Sequence, residues 1–219
     1  MKIENTQVFG FEAAIRAMRN PLNSHAKSDS FLLKNCFNQP TPHIYESNVE
    51  KFVLGIKDAE LSQKLTKAGT EHCKHLRLIQ VWFDITAPRF FYIEFDTYKH
   101  KENVSCSTMH TLMKKPISEQ DFEKDNVPAS LIDKINTYIG LYQQVDDAEE
   151  KRDYLVACKN ILPEGFLQKR TVCTNYQTLL NMYMQRKHHK LPQWQYVCNW
   201  ILTTLPYFKE LTGIETEEK

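Results

Sequence analysis

The stretch from Leu162 to Trp194 leaves the fewest choices in this chain. Pro163 lacks a backbone donor and turns Leu162 away from helical geometry, so a helix arriving there must stop. Beyond it, Asn175 can accept a first-turn N–H through its side-chain oxygen, and Tyr176, Leu179, Leu180, Tyr183 and Met184 follow at helical spacing. The sequence therefore predicts a capped helix that buries one face and leaves through the cationic run Arg186 to Lys190. At about 100° per residue, Asn175, Thr178, Met182, Arg186 and His189 form a second line beside that face. Two readings fit this line. It is a pocket wall, or it is an ordinary cap followed by an Arg and a His lying over the last carbonyls of their own helix.

The remainder reads as alternating short elements. Phe11 to Arg19 is helical in pattern, with Phe11, Ala14, Ile15 and Met18 on one face and Pro21 at its end. Asn20 to Asn48 is rich in Asn, Pro, Ser and His, which predicts a long loop over about residues 20–48. Lys51 to Ala68 is helical again and Gly69 stops it; His72 to Thr86 alternates as a strand, and Pro88 closes it. A helix follows with Phe90, Phe91, Glu94 and Phe95 in phase. Glu94 on this aromatic face is a snorkelling surface acid or an acid facing a pocket. Pro128 to Gln144 and the segment through Tyr154, Leu155, Cys158 and Ile161 are two further helices, with Asp146 to Arg152 a linker or a first turn. Trp194, Val197, Trp200, Ile201 and Leu205 form a last core helix before an acidic tail. A single α+β domain over residues 1–219, a small sheet packed with several helices, accommodates this order.

Composition narrows the function classes. The 28 Lys+Arg and 27 Asp+Glu leave a net charge of +1, so any anion binding must come from local clusters and not from a global field. The cysteines at 36, 73, 106, 158, 173 and 198 form no Cys-x-x-Cys pair, which points to reduced structural thiols and a cytoplasmic location. No apolar run approaches a membrane span. With 6 Gly in the chain there is no glycine-rich phosphate loop, and His72, Cys73, His75, His188 and His189 lack the spacing of a metal site. Three local cationic groups are left: Lys99 with Lys101, Lys159, and Arg186 with His188 to Lys190. Lys99-His100-Lys101, followed by Ser105, Ser107 and Thr108, suits a phosphate, or is a solvated turn into an edge strand. Small anionic ligands fit this pattern better than a long polyanion. A basic patch of Lys169-Arg170 and Arg186 to Lys190 is the alternative that a nucleic-acid-binding factor would require.

At these residues the chain resembles the flavin-dependent thymidylate synthases. The C-terminal signature of that family runs Arg, Leu-Pro, Asn, Ser-Leu, Arg and Gln-Trp, and here the corresponding residues are Lys159, Leu162-Pro163, Asn175, Thr178-Leu179, Arg186 and Gln193-Trp194, with one extra residue before Gln193. Val81 to Pro88 is similar to the family's strand ending in Ala-Pro, and His72 falls where the family has a His near the flavin. The family's Arg-His-Arg motif is degraded. Without gaps its triplet falls on Thr97-Tyr98-Lys99, its second Ser on Ser107 and its last Arg on Met109; a shift of two recovers Lys99-His100-Lys101 but loses Ser107. An expected acid falls on Arg77.

The resemblance implies a homotetramer with sites between subunits, FAD as cofactor, and dUMP, NADPH and methylenetetrahydrofolate as substrates. It implies Lys159, Arg186, Ser107, Glu94 and Lys99 at the nucleotide, with Arg186 catalytic, and His72, Asn175, His189, His100 and Lys101 at the flavin. The activity it implies is FAD-mediated reductive methylation of, or related chemistry on, a pyrimidine deoxynucleotide such as dUMP. A non-catalytic nucleotide-binding module on the same fold is the alternative.

Overall fold

The computed structural model describes residues 1–33, 51–123 and 127–215. In chain order the elements are β1 (Lys2–Phe9), α1 (Phe11–Arg19), β2 (Phe31–Leu33), β3 (Lys51–Val53), α2 (Ile56–Ala68), β4 (Gln80–Pro88), α3 (Arg89–Phe95), β5 (Glu102–Ser105), α4 (Thr108–Thr111), α5 (Ala129–Gln144), α6 (Ala148–Ile161), β6 (Leu167–Asn175), α7 (Tyr176–Arg186), α8 (Pro192–Thr204) and α9 (Phe208–Thr212). Short 3-10 turns join several of them. The class is α+β, with one four-stranded sheet in the order β1-β4-β6-β5 and a two-stranded ribbon of β2 and β3. No helix among the described residues is long and apolar enough to cross a membrane.

Several expectations shift. Lys51–Val53 is a strand and not the start of a helix, because Phe31, Leu32 and Leu33 pair antiparallel with Val53, Phe52 and Lys51. Lys74–Leu78 is a 3-10 turn, so the strand begins only at Gln80. Trp194 lies in α8, and α9 comes after it. Lys2–Phe9 forms a strand the pattern did not announce. The part of the expected long loop from 34 to 48 lies outside the described residues, as do residues 216–219 of the tail.

The chain groups into two compact units, one of Met1–Thr6 and Trp82–Cys173, the other of Gln7–Val81 and Thr174–Lys219. In the first, α5 and α6 close a core of Leu112, Met113, Ile117, Phe122, Ile132, Ile135, Ile139, Leu155, Cys158 and Leu162. Ile132, Ile135 and Ile139 fall at helical spacing on α5, which is why this stripe is the one buried. Asp147 caps α6, its side chain accepting from the backbone N–H of Glu149 and of Glu150, each at 2.9 Å. β5 pairs antiparallel with β6, Glu102 opposite Cys173 and Ser105 opposite Arg170.

The second unit has an aromatic centre. The Phe11 ring stacks on Phe52 at 5.5 Å and meets Tyr176 edge-on at 5.8 Å, while Tyr176 meets Phe208 at 5.2 Å. Gly10, which starts α1, has φ 98°, and a Cβ there would collide with the Leu78 carbonyl oxygen. Beside this centre lies Asp58, fully buried in the first turn of α2. Its Oδ1 accepts from Arg19 Nε at 2.6 Å and Nη2 at 2.5 Å. Its Oδ2 accepts from Ser28 Oγ at 2.7 Å, Ser30 Oγ at 2.7 Å, and the N–H groups of Asp29 at 3.1 Å and Ser30 at 3.0 Å. Asp29 in turn caps α2, accepting from Lys57 N at 2.9 Å and Asp58 N at 3.1 Å. Only a glycine fits beneath it, since a Cβ on Gly55 would collide with the Asp29 carboxylate.

Burial tends to raise the Asp58 pKa, but the hydrogen bonds from Ser28, Ser30 and Arg19 outweigh it, and the carboxyl titrates below its ordinary value. Its contribution to stability is therefore complete above the ordinary aspartate range, about pH 4, and is lost as the pH falls through the lower folded-state value. Asp58→Ala leaves the Arg19 guanidinium buried without a counter-charge. We expect denaturant unfolding to show a loss of about 3–5 kcal/mol at neutral pH, shrinking as the pH is taken below 4.

Candidate functional site

The strand β6 runs directly into α7, and Asn175 is both the last residue of one and the cap of the other. Its extended backbone lets the side-chain oxygen accept from Thr178 N at 3.0 Å, which leaves the amide nitrogen as the group it can offer a ligand. The helix is buried more widely than its apolar stripe requires. Asn175, Thr178 and Met182 are at most 8% exposed, whereas Met184 is 58% exposed. The core face is thus rotated toward the second line of residues. Met182 takes the place expected for Met184, and of the second line only Arg186 and His189 are partly exposed.

At the far end of α7 these two side chains flank the fully buried Trp194. The Arg186 guanidinium carbon lies 4.9 Å from the centre of the indole, and the His189 ring approaches it edge-on at 6.3 Å. Leu191 N donates to His189 Nδ1 at 3.2 Å, so the neutral ring carries its proton on Nε2. Gln195 fixes the same turn by donating to the His189 carbonyl at 3.2 Å.

His72 belongs to this unit as well. Its side chain is 53% exposed, with Nε2 at 3.6 Å from a Glu71 carboxylate oxygen. Arg77, the cation standing where an acid was expected, donates through Nε to Gln177 Oε1, while Gln177 Nε2 donates to the Thr70 carbonyl at 3.4 Å. Gln177 is 5% exposed and was not anticipated from sequence, since nothing local marks a glutamine in a first helical turn as an anchor for a residue a hundred positions away.

The other predicted residues, Glu94, Lys99, His100, Lys101, Ser107 and Lys159, lie in the first unit. The triplet 99–101 does not present one cationic face. Lys99 is exposed, His100 takes a left-handed backbone with φ 60°, and Lys101 folds back so that its side chain is 4% exposed. Its ammonium lies 3.0 Å from Asp96 Oδ1 and 4.7 Å from the centre of the Phe95 ring. Asp96 also accepts from Arg170 Nη1 at 3.0 and 2.9 Å, and that guanidinium lies 3.7 Å from the centre of the Tyr92 ring. Burial raises the Asp96 pKa, but Arg170 and Lys101 outweigh it and hold the carboxyl below its usual range. Glu94 is half-buried on α3, its carbonyl accepting from Thr97 Oγ1 at 2.7 Å. Ser107 starts α4, its carbonyl accepting from the N–H of His110 at 3.1 Å and of Thr111 at 3.0 Å. Next to it a cavity of about 350 Å³ is lined by Cys106, Thr108 and Gln168 among others. Lys159 sits half-buried in the last turn of α6.

Taken by chemistry, one unit supplies a guanidinium over an indole, two imidazoles and an amide; the other supplies lysines, an imidazole, a hydroxyl and a carboxylate. The first set suits a planar heterocycle with polarisable carbonyls, and the second an anionic group.

No family model matches the sequence, and no curated protein matches it. Its fold is similar to that of solved structures. Two of them, both crystal structures of flavin-dependent thymidylate synthase from Helicobacter pylori, one complexed with FAD and dUMP and the other determined with FAD and dUMP, superpose with a TM-score of 0.67 at 16% sequence identity, over 97% of this chain and 97% of theirs. The likeness establishes the fold over nearly the whole chain.

Asn175 can be tested as a cap. We expect Asn175→Ala to lower stability by about 1 kcal/mol in chemical denaturation, the usual cost of a lost cap, and Asn175→Asp to keep most of it because a carboxylate accepts the same N–H.

Proposed function

We propose that this chain is a divergent, flavin-dependent thymidylate synthase-like enzyme, a cytoplasmic homotetramer that carries out FAD-mediated reductive methylation of, or related chemistry on, a pyrimidine deoxynucleotide such as dUMP. NADPH and methylenetetrahydrofolate are its co-substrates in this reading. The carrying observation is the fold likeness over 97% of both chains to an enzyme complexed with FAD and dUMP, together with the capped helix that ends with the Arg186 guanidinium over the Trp194 ring.

FAD, once bound and reduced by NADPH, would supply the hydride, so no protein nucleophile is needed. Asn175, through its amide nitrogen, and the imidazoles of His72 and His189 fit a flavin in donor chemistry and would hold it in this reading, and His100 is a further flavin residue in the same reading. Lys101 joins only by exchanging Asp96 for a ligand oxygen. Lys159, Ser107, Lys99 and Glu94 position the nucleotide. Arg186, whose guanidinium carbon lies 4.9 Å from the centre of the Trp194 ring, directs its N–H groups at a pyrimidine carbonyl in this reading and stabilises negative charge as it develops on that oxygen.

A second reading keeps the fold and drops the chemistry: a nucleotide-binding module. Two observations favour it, the engagement of Lys101 by Asp96 and of Arg77 by Gln177, since both cations are answered from within the protein.

Purified protein decides between them. The enzyme reading expects yellow protein, or uptake of added FAD in a visible-absorption titration, and calorimetric binding of dUMP that strengthens with FAD. Arg186→Ala should weaken dUMP binding by about tenfold to a hundredfold without altering the fold. Binding of dUMP with no uptake of FAD selects the module; binding of neither removes both readings.

A further inference from the structure

The helix α1 divides its side chains between core and surface. Phe11, Ala14, Ile15 and Met18 are buried, while Glu12 and Arg16 stand one turn apart on the outside, their side chains 62% and 63% exposed. Arg16 Nη1 lies 3.5 Å from a Glu12 carboxylate oxygen. An exposed pair at this spacing is held weakly, because both groups keep most of their water and two long side chains must be ordered for them to meet. Exchanging either partner for a ligand group costs little.

Both side chains line a cavity of about 440 Å³ that lies wholly within the second unit. Its apolar lining is Ile15 from α1, Phe31 and Leu32 from β2, and Phe52 from β3. Phe52 is fixed in the aromatic centre, stacked on Phe11 and edge-on to Tyr207 at 6.0 Å, whereas Phe31 is 54% exposed. Arg19, Ser28 and Ser30 also border this space but donate to the Asp58 carboxylate. With Arg19 answered in this way, the ionic groups left to a ligand are Glu12 and Arg16, one of each sign, and the exposed His25 adds an imidazole. A ligand with a single charge would engage one of the two and strip the other of its partner. A ligand with an ammonium and a carboxylate on one carbon engages both, and an apolar group on that carbon covers the exposed Phe31.

We propose that this cavity binds an aromatic α-amino acid as its zwitterion, the ammonium donating to Glu12, the carboxylate accepting from Arg16, and the ring lying against Phe31 and Phe52. The inference is independent of the flavin and nucleotide reading. None of these residues is assigned to either ligand there, and FAD uptake is scored separately by its visible absorption.

The test uses the full chain at neutral pH and three probes that share one ring: L-phenylalanine, 3-phenylpropanoate, which lacks the ammonium, and phenethylamine, which lacks the carboxylate. Calorimetry is expected to show one-to-one binding of phenylalanine, about tenfold tighter than either analogue, the factor a charge-assisted hydrogen bond supplies at the least. Glu12→Gln should erase the preference over 3-phenylpropanoate, and Arg16→Gln the preference over phenethylamine. Both positions are exposed, so the circular dichroism spectrum is expected to stay unchanged, and a mere loss of folding would not sort the two analogues in this way. Phe31→Ala should weaken phenylalanine binding by about tenfold through the apolar area it no longer covers. Absence of phenylalanine binding, an analogue bound as tightly by the wild-type chain, a preference that survives its matching glutamine substitution, or undiminished binding by Phe31→Ala each overturns the proposal.

Discussion

A carboxylate withdrawn from water must be answered wholly by the protein, and Asp58 is answered by six donor contacts. They come from Arg19 at the end of α1 and from the segment Ser28 to Ser30, so one buried charge fixes the end of one helix, a stretch of irregular chain and the first turn of another. Apolar packing alone would not fix that stretch, because Ser28, Asp29 and Ser30 have little to bury. The charge supplies geometry where the hydrophobic effect cannot. From α2 the chain then passes to the loop carrying His72, His75 and Arg77.

What could be read from sequence follows the range of the interactions. Helix limits set by Pro163, by Gly69 and by the Asn175 cap depend on a few consecutive residues, and the chain alone reveals them. The strand Lys51–Val53 depends on pairing with Phe31–Leu33, some twenty residues earlier, and reads locally as helix. Choosing Met182 over Met184 for the core depends on what packs around α7, which no periodicity encodes. The Arg19–Asp58 pair was equally hidden: Arg19 reads as a surface cation, and only the fold shows it 4% exposed.

The same limit applies to charge. Lys99-His100-Lys101 reads as one basic cluster because the three are neighbours in sequence. The structure separates them, since His100 turns the backbone and Lys101 is taken up by Asp96 and Phe95. Arg170, 74 residues from Asp96, completes that arrangement and left no trace in the motif. A cation counted from sequence is thus not yet a binding group. It becomes one only if the fold leaves its hydrogen bonds to be made by something else.

α7 is buried from Tyr176 to Leu180 and at Met182 and Tyr183, and its exposed Asn181, Met184 and Gln185 were not among the expected site residues, so the groups it would bring to a ligand stand near its two ends. Eleven residues at 1.5 Å each set the Asn175 and Arg186 backbones about 16 Å apart. The helix then acts as a ruler. A mononucleotide is too short to report to both ends, whereas an extended dinucleotide, or two ligands laid head to head along the helix, can do so. The length of this one element thus sets how many chemical groups must meet there, whatever those groups prove to be.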